Sequence, residues 1–349
     1  MKRILLLISF LFFSITSFAY PYKELIFFGD SLSDNGNLYR IDFHTLPKSP
    51  PYFEGRFSNG PTWAEYIGQY YAEHYKAKYK IYALGGAAIL FQPLKQDLIN
   101  PSTLNVQINQ YFLESSAGAK EDVLYAIWIG GNDYLFDISS DADKLTTKVI
   151  DKLSEDLLRL INRGAKHLLI LNLPDLSNTP YARNGRPLER LALLSRVHNE
   201  KLAKAIAKLN KDHKGVDIAL FDIYALFNEA IHNPDVFNRR YNTNVKNTQD
   251  ACWQGGFNLD EATGFHAISK ELHMTWRQQT TQPAITVDAM SEMLANSPAL
   301  LQSYQLGELF AQGIVPCNHP DEFAFWDDVH PSAIVHKVLA LIIEDSLNA

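Results

Sequence analysis

Five short apolar runs, separated by longer amphipathic stretches, most strongly constrain how this chain can fold. Runs of this length, rich in Ile, Leu, Val and aromatic residues, are typical of strands covered on both faces. The predicted strands are residues 24–29, 80–86, 123–131, 166–174 and 216–224. The predicted helices are residues 61–75, 103–116, 143–164, 188–211 and 332–347. This alternation predicts an α/β fold, a three-layer α/β/α sandwich whose central parallel sheet has about five strands.

The start of the chain has the pattern of a secretory signal peptide. Lys2 and Arg3 precede an apolar run, and Ser17-Phe18-Ala19 forms a small-x-small cleavage site. The run is shorter than the roughly 20 apolar residues that a membrane-spanning helix needs. We therefore predict a signal peptide at residues 1–19, a single domain over residues 20–349 and a secreted or periplasmic protein. No integral membrane segment is expected after the signal is removed.

The charge balance argues against one class of partner. The formal net charge is −7, and it becomes −9 once the two positive charges of Lys2 and Arg3 leave with the signal. An acidic protein repels a phosphate backbone, so we predict no nucleic-acid partner.

The two cysteines, Cys252 and Cys317, are an even count in a chain predicted to meet an oxidising compartment. We predict a disulfide between them; the alternative is two unpaired small hydrophobic residues. The segment at 255–316 has helical patches at 287–295 and 299–312 but no strand pattern. We interpret it as an insertion bounded by the disulfide, which is either a lid over a site or a surface decoration or partner site.

Residues suited to ester chemistry follow three predicted strands and precede the last helix. Ser31 follows the first strand, Gly86 lies at the end of the second, and Asn132 follows the third. Asp327 and His330 come just before the last helix. Ligands of parallel α/β sheets sit beyond the carboxyl ends of the strands. Hydrolysis by a serine needs a hydroxyl, an imidazole base, a carboxylate that orients it and donors for the oxyanion, and these residues supply all four.

Four blocks of the sequence, in this order, resemble those of the GDSL esterase/lipase family, also called SGNH hydrolases. They are GDSLSDNGN (29–37), YALGGA (82–87), IGGNDY (129–134) and WDDVHPS (326–332). The segment GRFSNGPTWAEYI (55–67) is similar to one in the branch of bacterial phospholipases A, lysophospholipases and glycerophospholipid–cholesterol acyltransferases. The resemblance spans nearly all of the chain after the signal, and it implies a flavodoxin-like sheet.

The resemblance implies a role for each of these residues. Ser31 would be the nucleophile, His330 the base and Asp327 its orienting carboxylate. The oxyanion donors would be the backbone amides of Ser31 and Gly86 and the side chain of Asn132. Gly86 is preferred to Gly85 because it aligns as the residue just before Ala87, and Asp327 is preferred to Asp328 because it lies three residues before His330.

The resemblance also implies a lipid substrate, a phospholipid or lysophospholipid, with cholesterol as an acyl acceptor in some relatives. Some acyltransferase relatives carry a disulfide-bounded loop whose proteolysis raises activity, so a protease acting at 255–316 is a further expected partner. One alternative is an esterase for short acyl chains or acetylated carbohydrates, and another is a binding module without activity. No cofactor is expected: the chain has no zinc-like Cys/His spacing and no G-x-G-x-x-G loop.

Three further interpretations concern residues near these blocks or on a predicted helix. Asp133 is expected to be structural, bonding backbone near the serine loop. Aromatic residues between the serine block and the first long helix, Tyr52 and Phe57 among them, either line an acyl pocket or pack the loop. His198 is expected on a helix surface.

Overall fold

The protein is described by a computed structural model at residues 22–42, 44–90, 103–115, 119–135, 141–183, 188–254, 270, 274 and 298–348. The predicted signal peptide lies outside these residues. So does most of the insertion, which is described at Lys270, at Met274 and from Pro298 onward. Across the described ranges, no helix is both long and apolar enough to span a bilayer.

A five-stranded parallel sheet forms the centre of the protein. Its strands are β1 (Glu24–Gly29), β2 (Lys78–Ile81), β3 (Val123–Trp128), β4 (His167–Leu171) and β5 (Asp217–Phe221), in the order β2-β1-β3-β4-β5. All neighbouring pairs are parallel. This is the flavodoxin-like order, in which the strand order reverses between β1 and β3 and opens a crevice at their carboxyl ends. The predicted α/β fold with about five parallel strands is confirmed.

Helices pack on both faces of the sheet, and the apolar side chains of a strand, which point alternately to opposite sides, contact both helical layers. In β1, Ile26 and Phe28 pack in a core cluster on one face, and Leu25 and Phe27 pack in a cluster on the other. The described helices are α1 (Asn37–Ile41), α2 (Trp63–Tyr75), α3 (Leu104–Glu114), α4 (Ala142–Asn162), α5 (Pro180–Arg183), α6 (Leu188–Asp212), α7 (Ile223–His232), α8 (Pro234–Tyr241), α9 (Pro298–Ala311) and α10 (Ala333–Asn348). The first cluster includes residues of α3, α4 and α6, and the second includes residues of α2, α7 and α10. One helical layer thus lies on each face of the sheet, which gives the three-layer α/β/α arrangement.

Strand β2 ends earlier than the sequence predicts, at Ile81 instead of residue 86. The chain still runs beside β1, because the Tyr82 amide donates to the Phe27 carbonyl at 2.8 Å. On the outer side, however, the side-chain amide of Asn37 donates to the carbonyls of Ile81 and Ala83, at 2.9 and 2.8 Å. A side chain thus takes the place of a further strand and ties the serine block to the glycine block.

A second, two-stranded parallel sheet stands at the base of the insertion. It consists of β6 (Asn247–Ala251) and β7 (Phe323–Phe325), which no pattern in the sequence predicted. The predicted disulfide between Cys252 and Cys317 is present, with a sequence separation of 65. Beside it, the Trp253 amide donates to the Trp326 carbonyl at 2.8 Å. The disulfide therefore fastens the ends of the insertion next to the segment that carries Asp327.

Replacing both cysteines, Cys252→Ser with Cys317→Ser, is expected to lower the free energy of unfolding by about 4 kcal/mol, because a bridge spanning about 65 residues removes much loop entropy from the unfolded chain. Denaturation in guanidinium chloride measures the loss. The oxidised wild type treated with a reductant serves as the matched comparison and should fall by a similar amount. A loss below about 1 kcal/mol in both would contradict the expectation.

Candidate active site

The end of β1 is held in place before it reaches Ser31. The Gln107 side chain of α3 forms a closed pair of hydrogen bonds with Gly29, accepting from its amide at 2.9 Å and donating to its carbonyl at 2.7 Å. The Asp30 carboxylate accepts from the Leu32 amide at 3.0 Å, which closes a tight turn around Ser31. Nothing larger than glycine fits at position 29, since a Cβ there would lie 2.5 Å from the Trp128 carbonyl oxygen.

Ser31, His330 and Asp327 form a hydrogen-bonded chain. His330 Nε2 lies 2.8 Å from Ser31 Oγ. On the other side of the ring, His330 Nδ1 lies 2.7 Å from Asp327 Oδ2 and 2.9 Å from Oδ1. All three side chains are buried. The structure thus brings together the three residues that the sequence singled out, in the order that proton transfer from a serine requires.

Of the three side chains of this triad, the Asp327 carboxylate accepts the most hydrogen bonds. Its Oδ1 accepts from the backbone amides of Val329 and His330, at 2.9 and 2.7 Å. Its Oδ2 accepts from the Tyr52 hydroxyl at 2.7 Å. Burial acts to raise the pKa of Asp327, but the nearby His330 and these hydrogen bonds outweigh it, so the pKa is below its usual value. Asp327 is therefore charged and can orient the imidazole.

Besides the Ser31 amide, the candidate oxyanion donors lie on the two neighbouring loops. The Gly85 amide already donates to Asp34 Oδ2 at 2.8 Å, which leaves the next amide, that of Gly86, as the candidate on this loop. Gly86 has φ +76°, in the left-handed region that favours glycine. The Asn132 side chain donates one of its two N–H groups to the Ala87 carbonyl at 2.8 Å, so the second can serve another acceptor.

Buried carboxyl groups brace the loops around the site. The two oxygens of Asp133 accept from the amides of Ile89 and Leu90, at 2.9 and 2.8 Å. These amides belong to the loop after β2, and the charge of Asp133 acts on Asp30 beside Ser31, so Asp133 bonds backbone near the serine loop as expected. Burial raises the pKa of Asp133 to about 7 and that of Asp30 to about 7.

The segment at 55–67 supports the loop that carries His330. The Asn59 side chain accepts from the Ala333 amide at 2.8 Å at the start of α10. The Ser58 hydroxyl donates to the Pro331 carbonyl at 3.0 Å, and the Phe57 ring lies 5.2 Å from the His330 ring between centroids. Segment and loop are more than 250 residues apart in sequence, yet they form one unit.

His198 is buried, not on a helix surface as the sequence suggested. Its Nδ1 lies 2.7 Å from the Tyr134 hydroxyl, and its ring faces Gly130, where a Cβ would lie 3.3 Å from His198 Cε1. Burial lowers the pKa of His198 to about 3, so the ring is neutral and packs behind the loop that carries Asn132. The expectation was wrong because a histidine ring can be buried on the inner side of α6 when a buried hydroxyl, here that of Tyr134, is its hydrogen-bond partner.

Several supporting residues had no signal in the sequence. Tyr52 and Gln107 contact the site from distant parts of the chain, and nothing in a single sequence links them to it. Only the segment around Asn59 could have been found, because it lies in the block shared with the phospholipase branch.

A cleft opens beside Ser31, Asn132 and His330, and most of its lining is apolar. The apolar residues that line it are Leu32, Trp128, Leu135, Leu173, Pro174, Leu176, Phe227, Phe325, Val329 and Pro331. Tyr52 and Phe57 are not among its lining residues; they pack the loop instead, the second of the two alternatives left open above. Within the described part of the chain, no group of three or more His, Cys, Asp or Glu side chains is placed to hold a metal ion.

The chain is similar to known lipases and acyltransferases. The family model described as GDSL-like Lipase/Acylhydrolase matches residues 25–343. Phosphatidylcholine-sterol acyltransferase of Aeromonas hydrophila is 30% identical over 332 residues, which cover 91% of this chain and 88% of that protein. Thermolabile hemolysin of Vibrio parahaemolyticus is 27% identical over 93% of this chain and 64% of its own length.

Among solved structures, the carbohydrate acetylesterase Est24 of Sinorhizobium meliloti aligns with 57% of this chain and 83% of its own, at 15% identity and a TM-score of 0.37. The family match extends from β1 into α10 and so spans the whole described sheet. The chain belongs to the GDSL-like lipase/acylhydrolase family and is a hydrolase of carboxylic esters that has acyltransferases among its relatives.

Proposed function

We propose that the protein cleaves acyl esters of lipids through an acyl-enzyme on Ser31. His330 Nε2 takes the Ser31 proton as Oγ attacks the ester carbonyl, and Asp327 stabilises the imidazolium that forms. The developing oxyanion accepts hydrogen bonds from the backbone amides of Ser31 and Gly86 and from the Asn132 side chain. The tetrahedral intermediate collapses when its C–O bond breaks, and His330 returns the proton to the departing alcohol.

The second half of the reaction repeats these steps with a new nucleophile. Water gives the free fatty acid, whereas an alcohol such as cholesterol gives a new ester; in both cases His330 takes the proton of the attacking group and returns it to Ser31. Hydrolysis and acyl transfer therefore need the same residues. They differ only in which acceptor reaches the acyl-enzyme.

The apolar cleft beside Ser31 is the observation that carries this proposal. An acyl chain gains about 0.8 kcal/mol for each CH₂ group that it buries, so an apolar lining favours long chains over acetyl groups. Among the described residues that line the cleft there is no Lys or Arg that would favour an anionic group. The Aeromonas hydrophila relative is named as an acyltransferase of phosphatidylcholine and a sterol. Its name supports a phospholipid or lysophospholipid as the acyl donor and a sterol as the acyl acceptor.

The decisive experiment combines labelling with product analysis. Protein lacking residues 1–19 is treated with a fluorophosphonate probe, and peptide mass spectrometry locates the adduct, which we expect on Ser31. Unlabelled protein then receives lysophosphatidylcholine with and without cholesterol. Release of fatty acid with formation of cholesteryl ester supports the acyltransferase, and release alone supports a lysophospholipase. Labelling with turnover of only short-chain or acetyl esters would replace the lipid proposal by the short-chain alternative.

Asn132→Ala is expected to lower kcat by about 10²- to 10³-fold, because it removes one donor to the oxyanion. The rate of p-nitrophenyl butyrate hydrolysis measures the loss, and KM should change little. The matched control is Asn238→Ala, because the Asn238 side chain also donates to a backbone carbonyl, that of Val245 at 2.7 Å, far from Ser31 in sequence. Equal losses in both variants would mean that Asn132 acts only through folding.

The remaining proposals concern location and activation. We propose that residues 1–19 direct secretion, which fits the disulfide between Cys252 and Cys317. The insertion at 255–316 is the proposed place for an activating protease, since it is a disulfide-bounded loop whose ends lie next to Trp326 and thus next to Asp327.

A further inference from the structure

The Tyr52 hydroxyl lies 2.7 Å from Asp327 Oδ2, although the two residues are 275 positions apart. Tyr52 is 2% exposed and Asp327 is fully buried. An ionised carboxylate can only accept hydrogen bonds, so the hydroxyl is the donor. Burial, followed by the charge of Asp327, raises the pKa of Tyr52 well above its usual value, and the hydroxyl keeps its proton.

The two oxygens of Asp327 are held in different ways. Oδ1 accepts from the backbone amides of Val329 and His330, on the same short turn. Oδ2 faces His330 Nδ1 at 2.7 Å, and its other partner among the described residues is the Tyr52 hydroxyl. Without that hydroxyl, the described contacts leave Oδ2 with the imidazole alone. The plane of the carboxylate, and with it the direction of the imidazole, would be less well defined.

The Tyr52 ring is itself fixed from several sides. It makes edge-to-face contacts with Phe57 and Trp326, at centroid distances of 6.2 and 6.3 Å. Leu306 of α9 belongs to the same buried cluster. A fixed ring can hold its hydroxyl in one place, which is what a group that orients another must do.

Helix α9 is also fastened to the segment that carries Tyr52. Lys48 Nζ lies 3.2 Å from Glu308 and 5.0 Å from the centre of the Tyr304 ring. Gly307 permits this approach, because a Cβ there would lie 2.1 Å from Lys48 Cβ. Helix α9, the last helix of the insertion, thus packs against the loop that contains Tyr52.

We propose that Tyr52 is a positioning residue that orients the Asp327 carboxylate and, through it, His330 toward Ser31. The proposal rests on the function proposed above. Tyr52 does not line the cleft, so it acts on turnover and not on substrate binding. Neither its sequence neighbours nor its spacing from the GDSL blocks points to this role.

Tyr52→Phe is expected to lower kcat by roughly tenfold while KM stays within about twofold, because one hydrogen bond to a charged group is lost outside the cleft. The pH profile should change as well. Tyr52 helps to lower the pKa of Asp327, so its loss makes the coupled Asp327–His330 pair hold its proton more tightly. The acid limb of kcat/KM therefore moves to higher pH. Asp328, Asp30 and His336 also face this pair, but the variant leaves all three in place.

The assay uses p-nitrophenyl butyrate with Ser31→Ala as the inactive reference and Tyr111→Phe as the matched control. Tyr111 is a buried tyrosine whose hydroxyl lies 2.8 Å from that of Tyr125, away from the triad. Loss of the Tyr111 hydroxyl should lower thermal stability but change neither kcat nor the acid limb of the kcat/KM profile. The downfield proton resonance of the His330–Asp327 hydrogen bond gives a second readout, which should shift or broaden in Tyr52→Phe alone.

A double-mutant cycle separates positioning from general packing. If Tyr52 acts through Asp327, adding Tyr52→Phe to Asp327→Asn costs no further activity. Full additivity, or an unchanged acid limb in Tyr52→Phe while Ser31→Ala is inactive, would overturn the inference and leave the proposed function intact. If the wild type hydrolyses no faster than Ser31→Ala, the proposed function itself fails. Should Tyr52→Phe not fold, a ring-fluorinated tyrosine at position 52 keeps the hydroxyl, strengthens it as a donor and should move the acid limb to lower pH.

Discussion

Ser31→Ala is expected to lower kcat by on the order of 10⁶-fold, the loss that accompanies removal of the nucleophile from a serine triad. The physical reason is that the variant lacks the attacking oxygen, Ser31 Oγ, which lies 2.8 Å from His330 Nε2. The variant should still fold, since the turn around Ser31 is closed by Asp30 and Leu32. It should also bind lipid with nearly unchanged affinity and fail to react with a fluorophosphonate probe. Single-turnover release of p-nitrophenol measures the effect.

Ser33→Ala is the matched control, because Ser33 is a buried serine in the same turn. Its hydroxyl accepts from the Trp63 indole N–H at 3.0 Å. It is not part of the hydrogen-bonded triad of Ser31, His330 and Asp327. We expect it to lower thermal stability and to keep activity within about tenfold, the effect of one lost hydrogen bond. If Ser31→Ala kept more than about a hundredth of wild-type activity, a loss of less than about 3 kcal/mol, the serine would not be the nucleophile.

The main sheet was predictable because its central strands, β1, β3 and β4, are buried on both faces and so read as apolar runs. The ends of the strands were less predictable. The apolar residues Tyr82 to Leu84 continue the run of β2, but the Asn37 side chain occupies the position where a further strand would pair. Strands β6 and β7 have only five and three residues, and more than 70 positions separate them, so no local pattern marks their pairing.

The reacting residues were predictable for a different reason: each lies in a short block whose residue types match one step of the chemistry. The residues that orient them lie in no such block. Gln107 reads as an ordinary position of α3, although its amide holds both backbone groups of Gly29. Tyr52 reads as loop packing, although its hydroxyl reaches Asp327. Contacts of this kind depend on long-range packing, which one sequence does not reveal.

Asp327→Asn is expected to lower kcat by on the order of 10⁴-fold, as in other serine triads. An amide is neutral, so it no longer stabilises the imidazolium, and its N–H₂ group donates where the carboxylate accepted. His330 Nδ1 would then have to accept, which puts the ring proton on Nε2 and prevents that atom from taking the Ser31 proton. The loss should be largest in kcat, and the hydrolysis rate of p-nitrophenyl butyrate across pH measures it.

The adjacent Asp328 offers a strict comparison, because both carboxyl groups are buried and they are neighbours in sequence. Burial, followed by the charge of Asp327, raises the pKa of Asp328 to about 7. Near neutral pH this group is already protonated in much of the protein, and an amide resembles a protonated carboxyl in size and charge. Asp328→Asn should therefore change kcat by no more than about threefold, well under 1.4 kcal/mol of barrier. Comparable losses in the two variants would show that burial at this turn, and not the hydrogen bond to His330, is what catalysis requires.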